Sequence, residues 1–352
     1  MPHGATGRAS RGTAVGARNR LAARSQEREY WGERIRRGVT GLRPRSKPPH
    51  TRRPANARLL SPASRAHMWV GLGLGVGFYV LFGIVPAVAN ILVSFTNYSG
   101  LPGSPTSFTG FSNYTQLFTT QRPGFIASIT ATVLFVVGVT VVQNTLAMLL
   151  AHRLRGGGRM SAILRILAFF PIVLGVTVAG IVWLLLFDPL SSPAQAFFGV
   201  FGIHSAFFGS TTVAMPLVIV VQVWQNLGFT MLVFIGGLNA IPPSVYEAAV
   251  LDGVTPWRRF RSITWPLMAP SVTVNVLFAV IGSLTTYNLI YILTDGQFNT
   301  NTLGMLAFNT AFGATADLGF GAAVTVVLLA VAVLLAVPLA SFLRFRERRI
   351  LS

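Results

Sequence analysis

The sequence predicts an all-α, polytopic membrane protein with six transmembrane helices. Three observations carry this. Of the 352 residues, 52% are apolar and only 11% are charged. The apolar residues gather in charge-free blocks, and basic residues alternate between the segments that join them. A soluble domain carries about 25% charged residues, whereas about 20 apolar residues in helical form cross a hydrocarbon core. In lipid the backbone needs internal hydrogen-bond partners, and a helix supplies its own.

The blocks span residues 68–93, 125–151, 166–187, 212–241, 267–294 and 318–343. The first is longer than the apolar region of about 7–15 residues in a cleaved secretory signal. It is therefore read as a retained span, although Ala87 and Ala89 imitate a cleavage site. Gly71/Gly75 and Gly73/Gly77 give it small residues four apart, the spacing that lets another helix approach closely. Pro86, Pro171 and Pro216 mark places where the first, third and fourth helices can kink.

Orientation follows from the connections. The first, third and fifth hold Arg122 alone as a basic residue. The second holds Arg153, Arg155 and Arg159, with Arg165 at the start of the next block. The fourth holds Arg258, Arg259 and Arg261, and the carboxyl end Arg344, Arg346, Arg348 and Arg349. Cytoplasmic loops retain Lys and Arg, so both termini are expected in the cytoplasm. Residues 1–66 carry 16 of the 28 basic residues against Glu27, Glu29 and Glu33. This Gly-, Pro- and Ser-rich segment buries too little apolar surface to offset its ordering entropy. Residues 1–66 are thus expected to form a disordered basic cytoplasmic tail, and residues 67–352 the membrane domain. Basic clusters beside a span suit anionic lipid, and no nucleic-acid partner is expected.

Several chemistries are excluded. There is no Cys, and His3, His50, His67, His152 and His204 have no metal-ligand spacing. No Ser lies in a G-x-S-x-G turn. The only lysine, Lys47, follows Ser46, so a phosphate-binding P-loop cannot form. The chain is expected to have no catalytic residue, no metal and no cofactor of its own, and any nucleotide hydrolysis belongs to a partner. The blocks contain no Asp, Glu, Lys or Arg, which weighs against a proton-coupled carrier.

The connection from Asn239 to Pro270 is the most informative segment. Pro242 and Pro243 end the fourth block, and Ser244 with Glu247 has the spacing of a capping box, which predicts a short helix starting there. Gly253 can supply the left-handed residue that ends it. Thr255-Pro256 then offers an N-cap and a first helical residue for a second short helix. Val245, Tyr246, Ala248, Ala249 and Leu251 flank Glu247, and Trp257 and Phe260 sit among three arginines. Two readings remain open on these residues: a docking surface for a partner, or an amphipathic helix lying on lipid with Trp257 at headgroup level.

Glu247-Ala248-Ala249, Asp252-Gly253, then Ile263 and Pro266 resemble the EAA loop of binding-protein-dependent ABC importer permeases. Trp265 stands where that family usually has leucine. Ser94-Phe95-Thr96, Gly110 to Tyr114, Trp224, Gly228, Phe229 and Tyr246 are similar to landmarks of the sugar-type permeases of the maltose and glycerol-phosphate kind. Asp295-Gly296-Gln297 departs from the family's G-G-P, and the tail lies outside the resemblance. The resemblance implies a multi-pass permease subunit of an ATP-driven importer in the plasma membrane, moving a sugar or oligosaccharide inward. It implies that the cytoplasmic EAA loop around residues 242–266 is a coupling helix, with Glu247, Ala248, Ala249, Asp252, Gly253, Ile263 and Pro266 meeting the ATPase. The implied partners are a second permease subunit, two ABC ATPase subunits that bind ATP and Mg, an extracytoplasmic solute-binding protein and membrane lipid. Glycerol phosphate or another small solute, and an autonomous carrier or facilitator, are the alternatives.

Gln222 and Asn226, with Gln225 nearby, share a face of the fourth helix, and Ser283, Tyr287 and Tyr291 form a four-residue progression on the fifth, next to Asn288. Amides and aromatic rings suit hydroxyl-rich sugars. They can equally bond across helices, as can Gln143 and Asn144.

Overall fold

The computed structural model describes residues 62–202, 204–314 and 317–351, which fall into two units divided after Tyr79. Residues 1–61 of the expected tail lie outside the described residues. In the first unit, helix α1 runs Pro62–Tyr79.

The second unit opens with a π-helical turn, Val80–Ile84, and α2, Val85–Val93. Pro86 stands at the start of α2. Its missing N–H and its ring, which crowds the preceding turn, are the local reason for the widened winding there. The chain then forms α3 (Ser112–Phe118) and α4 (Arg122–Leu154). The two segments named as landmarks at the ends of the first connection touch each other. Asn113 Nδ2 donates to the carbonyls of Ser94 (2.9 Å) and Thr96 (2.8 Å), the Ser94 and Tyr114 hydroxyls are 2.7 Å apart, and the Phe95 and Phe111 rings meet edge to face.

The third span is broken. The sequence predicts one helix over 166–187; the structure has α5 (Arg159–Val173) and α6 (Val176–Leu186), bent by 102°. Pro171 sits inside α5 and cannot donate to the helical ladder, and Leu174 turns extended (ψ 131°) before Gly175 caps α6. After α7 (Pro193–Gly199) comes α8 (Ala214–Ala240), the fourth span, within a residue or two of its predicted limits.

The fourth connection forms α9 (Pro243–Leu251), α10 (Pro256–Arg259), a π turn (Phe260–Thr264) and α11 (Trp265–Leu267). The fifth span, α12 (Ala269–Thr285), leaves that segment at a 69° bend. It stops short of the predicted 294. Thr285 Oγ1 donates to the Ile281 and Gly282 carbonyls (3.1 and 3.2 Å) and Thr286 Oγ1 to the Gly282 carbonyl (2.7 Å), competing with the backbone ladder where it ends. The chain resumes as α13 (Asn288–Thr294), then α14 (Leu303–Phe312) and α15 (Leu318–Leu351).

Among the described residues, four helices are long and apolar enough to cross a membrane, and six spans result if each bent pair counts as one. The core lies along α4 and α8, closed at one end by α13 and at the other by the start of α12. Phe135, Val139, Val218, Val221, Leu289 and Ile290 fill one end. Ala147, Met148, Met231, Phe234, Ile235 and Met268 fill the other, under the fourth connection. The remaining helical faces leave large apolar side chains exposed, Leu134, Val141 and Leu334 among them, as a lipid-facing surface does.

Candidate functional site

The fourth connection is a rigid bracket held at both ends. Pro243 supplies the fixed φ of a first helical position, and the residue before a proline is driven to an extended conformation, so Pro242 (φ −57°, ψ 136°) is the N-cap of α9. This corrects the expected capping box: the helix begins before Ser244, which lies inside it, and no side chain caps it. Glu247 is thereby relieved of a local task, and its side chain is exposed.

Gly253 has φ +68° and ends α9 as expected. Its N–H donates to the Val250 carbonyl (3.0 Å), and the Val254 N–H donates to the Ala249 carbonyl (3.0 Å). Together these form the paired C-terminal bonds of a Schellman turn. Thr255, extended at φ −62° and ψ 153°, is the N-cap of α10 with Pro256 first in the helix, although its hydroxyl makes no capping bond.

One face of the bracket is clamped to the bundle. Ala249 is buried, and Val245, Tyr246, Trp265 and Leu267 pack on the lower core. The Arg155 guanidinium at the end of α4 lies 5.1 Å from the Tyr246 ring centre and donates to its hydroxyl at 3.4 Å. That hydroxyl is also 3.4 Å from Thr264 Oγ1. The other face carries Glu247, Ala248, Val250, Leu251, Asp252 and Trp257 in the open, with Leu251 88% and Trp257 71% exposed. Ile263 and Pro266 are half-buried on the return segment.

The connection is thus a helix–glycine–helix bracket between two spans, clamped inward, with Leu251 and Trp257 exposed beside Glu247 and Asp252 on its outward face. Residues 143–351 match the family described as the binding-protein-dependent transport system inner membrane component. The chain belongs to this family. The chain is 31% identical over 277 residues to the sn-glycerol-3-phosphate transport system permease protein UgpA of Brucella abortus, covering 77% of this chain and 91% of that one. It is 29% identical over 282 residues to the diacetylchitobiose uptake system permease protein NgcF of Streptomyces coelicolor, covering 75% and 78%. Its fold matches a chain of a bacterial alginate ABC transporter crystallised with an alginate pentasaccharide-bound periplasmic protein, with TM-score 0.69 and 18% identity over 83% of this chain and 98% of that one. It is thus an ABC importer permease subunit of the inner membrane.

In this permease Gln222 and Asn226 share a face of the unbroken α8, whereas the polar progression named on the fifth span is split. Asn226 Nδ2 turns back to the Gln222 carbonyl at 3.0 Å. Gln225 is buried and its Nε2 donates to the Leu174 carbonyl at 3.3 Å, which satisfies the backbone freed where the third span breaks. The progression Ser283, Tyr287, Tyr291 is interrupted at Thr286, so these residues do not share one helical face as the sequence predicts. Ser283 is buried on α12 with its Oγ unpartnered.

Tyr287 and Tyr291 are instead gathered by α14, which the sequence reading missed. Tyr287 stacks on Phe308 at 4.9 Å and 19°, Tyr291 meets the same ring at 5.1 Å, and Phe312 extends the group. Asn90, Thr285, Tyr287, Phe308 and Phe312 line a cleft of about 290 Å³. Asn288 is exposed at the start of α13. Gly304, where α14 passes the break, would place a Cβ 3.3 Å from the Thr286 carbonyl oxygen. Only a small residue permits that approach.

A second polar node was half visible in the sequence. Gln143 Nε2 on α4 donates to Thr230 Oγ1 at 2.7 Å, and Asn275 Nδ2 on α12 donates to the Thr230 carbonyl at 3.2 Å, so one buried threonine joins three helices. Asn144 turns to the Thr140 carbonyl on its own helix. Thr230→Val keeps the shape but leaves the Gln143 amide without its acceptor. The expected loss is about 1–2 kcal/mol of stability. A lowered melting temperature of the purified permease, restored by Thr230→Ser, is the check.

Proposed function

We propose that the permease moves a sugar or oligosaccharide inward across the plasma membrane, driven by a separate ATPase seated on the bracket from residue 242 to 266. The supporting observation is the outward face of that bracket. Leu251 and Trp257 are large apolar groups held in the open by a turn too well bonded to be a slack linker. On a loop with no partner such exposure costs solubility, and with one it becomes contact area. Glu247 and Asp252 add charge for pairing with a basic group, beside Ala248 and Ala249, with Gly253 setting the turn and Ile263 and Pro266 fixing the return. The competing position, flat on lipid, suits two exposed carboxylates poorly.

In this reading two ATPase subunits bind ATP and Mg, a second permease completes the pathway, a solute-binding protein delivers cargo outside, and both termini lie in the cytoplasm. ATP-driven closure shifts the transporter only by acting unequally on its inward- and outward-facing states. The bracket transmits that difference because α8 enters it and α12 leaves it.

The sugar reading is supported by the aromatic cleft. The rings of Tyr287, Tyr291 and Phe308 offer apolar faces to a pyranose, and Asn90, Thr285 and Thr325 line the same cleft with groups able to hydrogen-bond a hydroxyl. The names of several relatives refer to sugars, and others to glycerol phosphate. Vesicles holding the permease with its ATPase and binding protein are expected to accumulate sugar only with ATP inside the cytoplasmic compartment. Uptake by the permease alone, indifferent to ATP, overturns the coupled reading; exclusive capture of a phosphorylated polyol by the binding protein overturns the sugar assignment.

A further inference from the structure

The end of the bundle opposite the bracket carries an exposed aromatic cluster that the transport reading does not use. Between α6 and α8 the chain has no Asp, Glu, Lys or Arg from Pro189 to Val213. Within it, α7 is a single short helix. Ser192 caps it by accepting from the Gln195 N–H at 3.0 Å, and Gln195 Nε2 lies 3.1 Å from His204 Nδ1.

The helix has two unlike faces. Ala194 is buried and Phe198 turns inward against Phe207, which in turn meets Phe187 at 5.1 Å. Phe187 stacks on Trp183 at 5.5 Å, so the ring series runs unbroken into the third span. The opposite face, continued by the turn that follows the helix, presents Phe197 and then Phe201, 62% and 67% exposed, their rings 5.6 Å apart. Leu190 at 90% and Val200 at 83% flank them.

The geometry points to α7 and its flanking turns as an interfacial anchor, with Phe197, Phe201, Leu190 and Val200 inserted among the acyl chains and headgroups of the bilayer at this end of the bundle.

Continuity with the span decides for lipid over a protein partner. On α6, Val178, Ile181, Val182 and Leu185 are exposed at helical spacing i, i+3, i+4 and i+7, the stripe of a lipid-facing helix. The exposed face of α7 begins a few residues beyond Leu186, and a chain of that length reaches at most about 3.5 Å per residue. Asp188 fixes the depth. Its carboxylate accepts from the Ser191 and Leu190 N–H groups at 3.0 and 2.9 Å, bonds that hold its carboxyl below the usual carboxylate range. A carboxylate kept ionised belongs at the level of water and headgroups, and the aromatic residues just beyond it then lie in the zone that Phe, Tyr and Trp occupy beside a membrane. A docking site for a soluble protein has a polar rim, whereas the exposed neighbours of Phe197 and Phe201 are the apolar Leu190 and Val200.

The inference does not depend on which side of the membrane this end faces, nor on the cargo. The chain has no cysteine, so single labels need no background removal. Phe197→Cys and Phe201→Cys are to be spin-labelled in the full-length chain within its purified transporter, in vesicles of phosphatidylcholine with one quarter phosphatidylglycerol, with Leu185→Cys as lipid reference and Thr211→Cys as water reference. The expected result at both positions is an accessibility to oxygen over a water-soluble nickel complex several-fold above the Thr211 value and close to that at Leu185. A ratio equal to that at Thr211 overturns the anchor. Low accessibility to both reagents, the mark of a covering protein, overturns it as well. Quenching of a Phe197→Trp variant by lipids brominated on the acyl chain checks the same depth without a label, and its absence also counts against the anchor.

Discussion

Gly253→Val is expected to reduce ATP-driven uptake about tenfold or more while the permease still inserts and folds. The position has φ +68°, and nothing lies within 4 Å of where its Cβ would stand. The substitution therefore meets no steric clash with neighbours, and its whole cost is in the backbone. A left-handed residue with a side chain costs about 1–2 kcal/mol, more for a β-branched one. Valine escapes by returning φ to negative values, which breaks the bonds from the Gly253 and Val254 N–H groups and swings α10 away from its set direction. A factor of ten corresponds to 1.4 kcal/mol, so a strain of this size is enough if most of it reaches the ATPase contact. Gly253→Asn, which tolerates the left-handed region, should recover most of the activity. Uptake and substrate-stimulated ATP hydrolysis in vesicles holding the assembled transporter are the readouts, and normal stimulation in the valine variant would defeat the coupling assignment.

Much of the fold was legible because hydropathy reports length. The spans later seen as α4, α8 and α15 appear in the sequence as uninterrupted apolar blocks, and charge placed the connections. Hydropathy is blind to direction, however, and averages across Leu174-Gly175 as if the helix continued. The local signals were there: Pro171 four residues before Gly175, and adjacent Thr285 and Thr286 whose hydroxyls take the last carbonyls of α12. The capping box failed for a related reason, since the Pro242-Pro243 pair sets the helix start before Ser244 can act. At the candidate site, the residues of the EAA resemblance stand on one short contiguous loop and were readable together. The clamp of Arg155 on Tyr246, 91 positions apart, and the node at Thr230 are long-range, and only the folded chain brings them together.

Gly228→Ala is expected to be among the most damaging single-carbon additions in the transmembrane region. Gly228 lies on α8 where α5 crosses it, and a Cβ there would collide with the Ala168 carbonyl oxygen and Phe169 Cα and stand 2.7 Å from the Ala168 carbonyl carbon. All three are main-chain atoms, so no side chain can rotate away, and the helices must separate. Separation also pulls Leu174, at the end of α5, from the Gln225 amide one turn away, which exposes an unsatisfied carbonyl in the membrane. Overpacking costs about 1–3 kcal/mol where side chains can adjust, and more is expected where backbone must move. Gly236 on the same helix is the control, with nothing within 4 Å of its added Cβ; Gly236→Ala should be neutral or slightly stabilising, because alanine loses less backbone freedom than glycine in a helix. Monodisperse yield and melting temperature in detergent separate the two variants, and equal behaviour would refute the close approach of α5 to α8. The loss at position 228 should appear before any partner is added, whereas Gly253→Val should give a normally folded chain that fails only when ATP is meant to drive it.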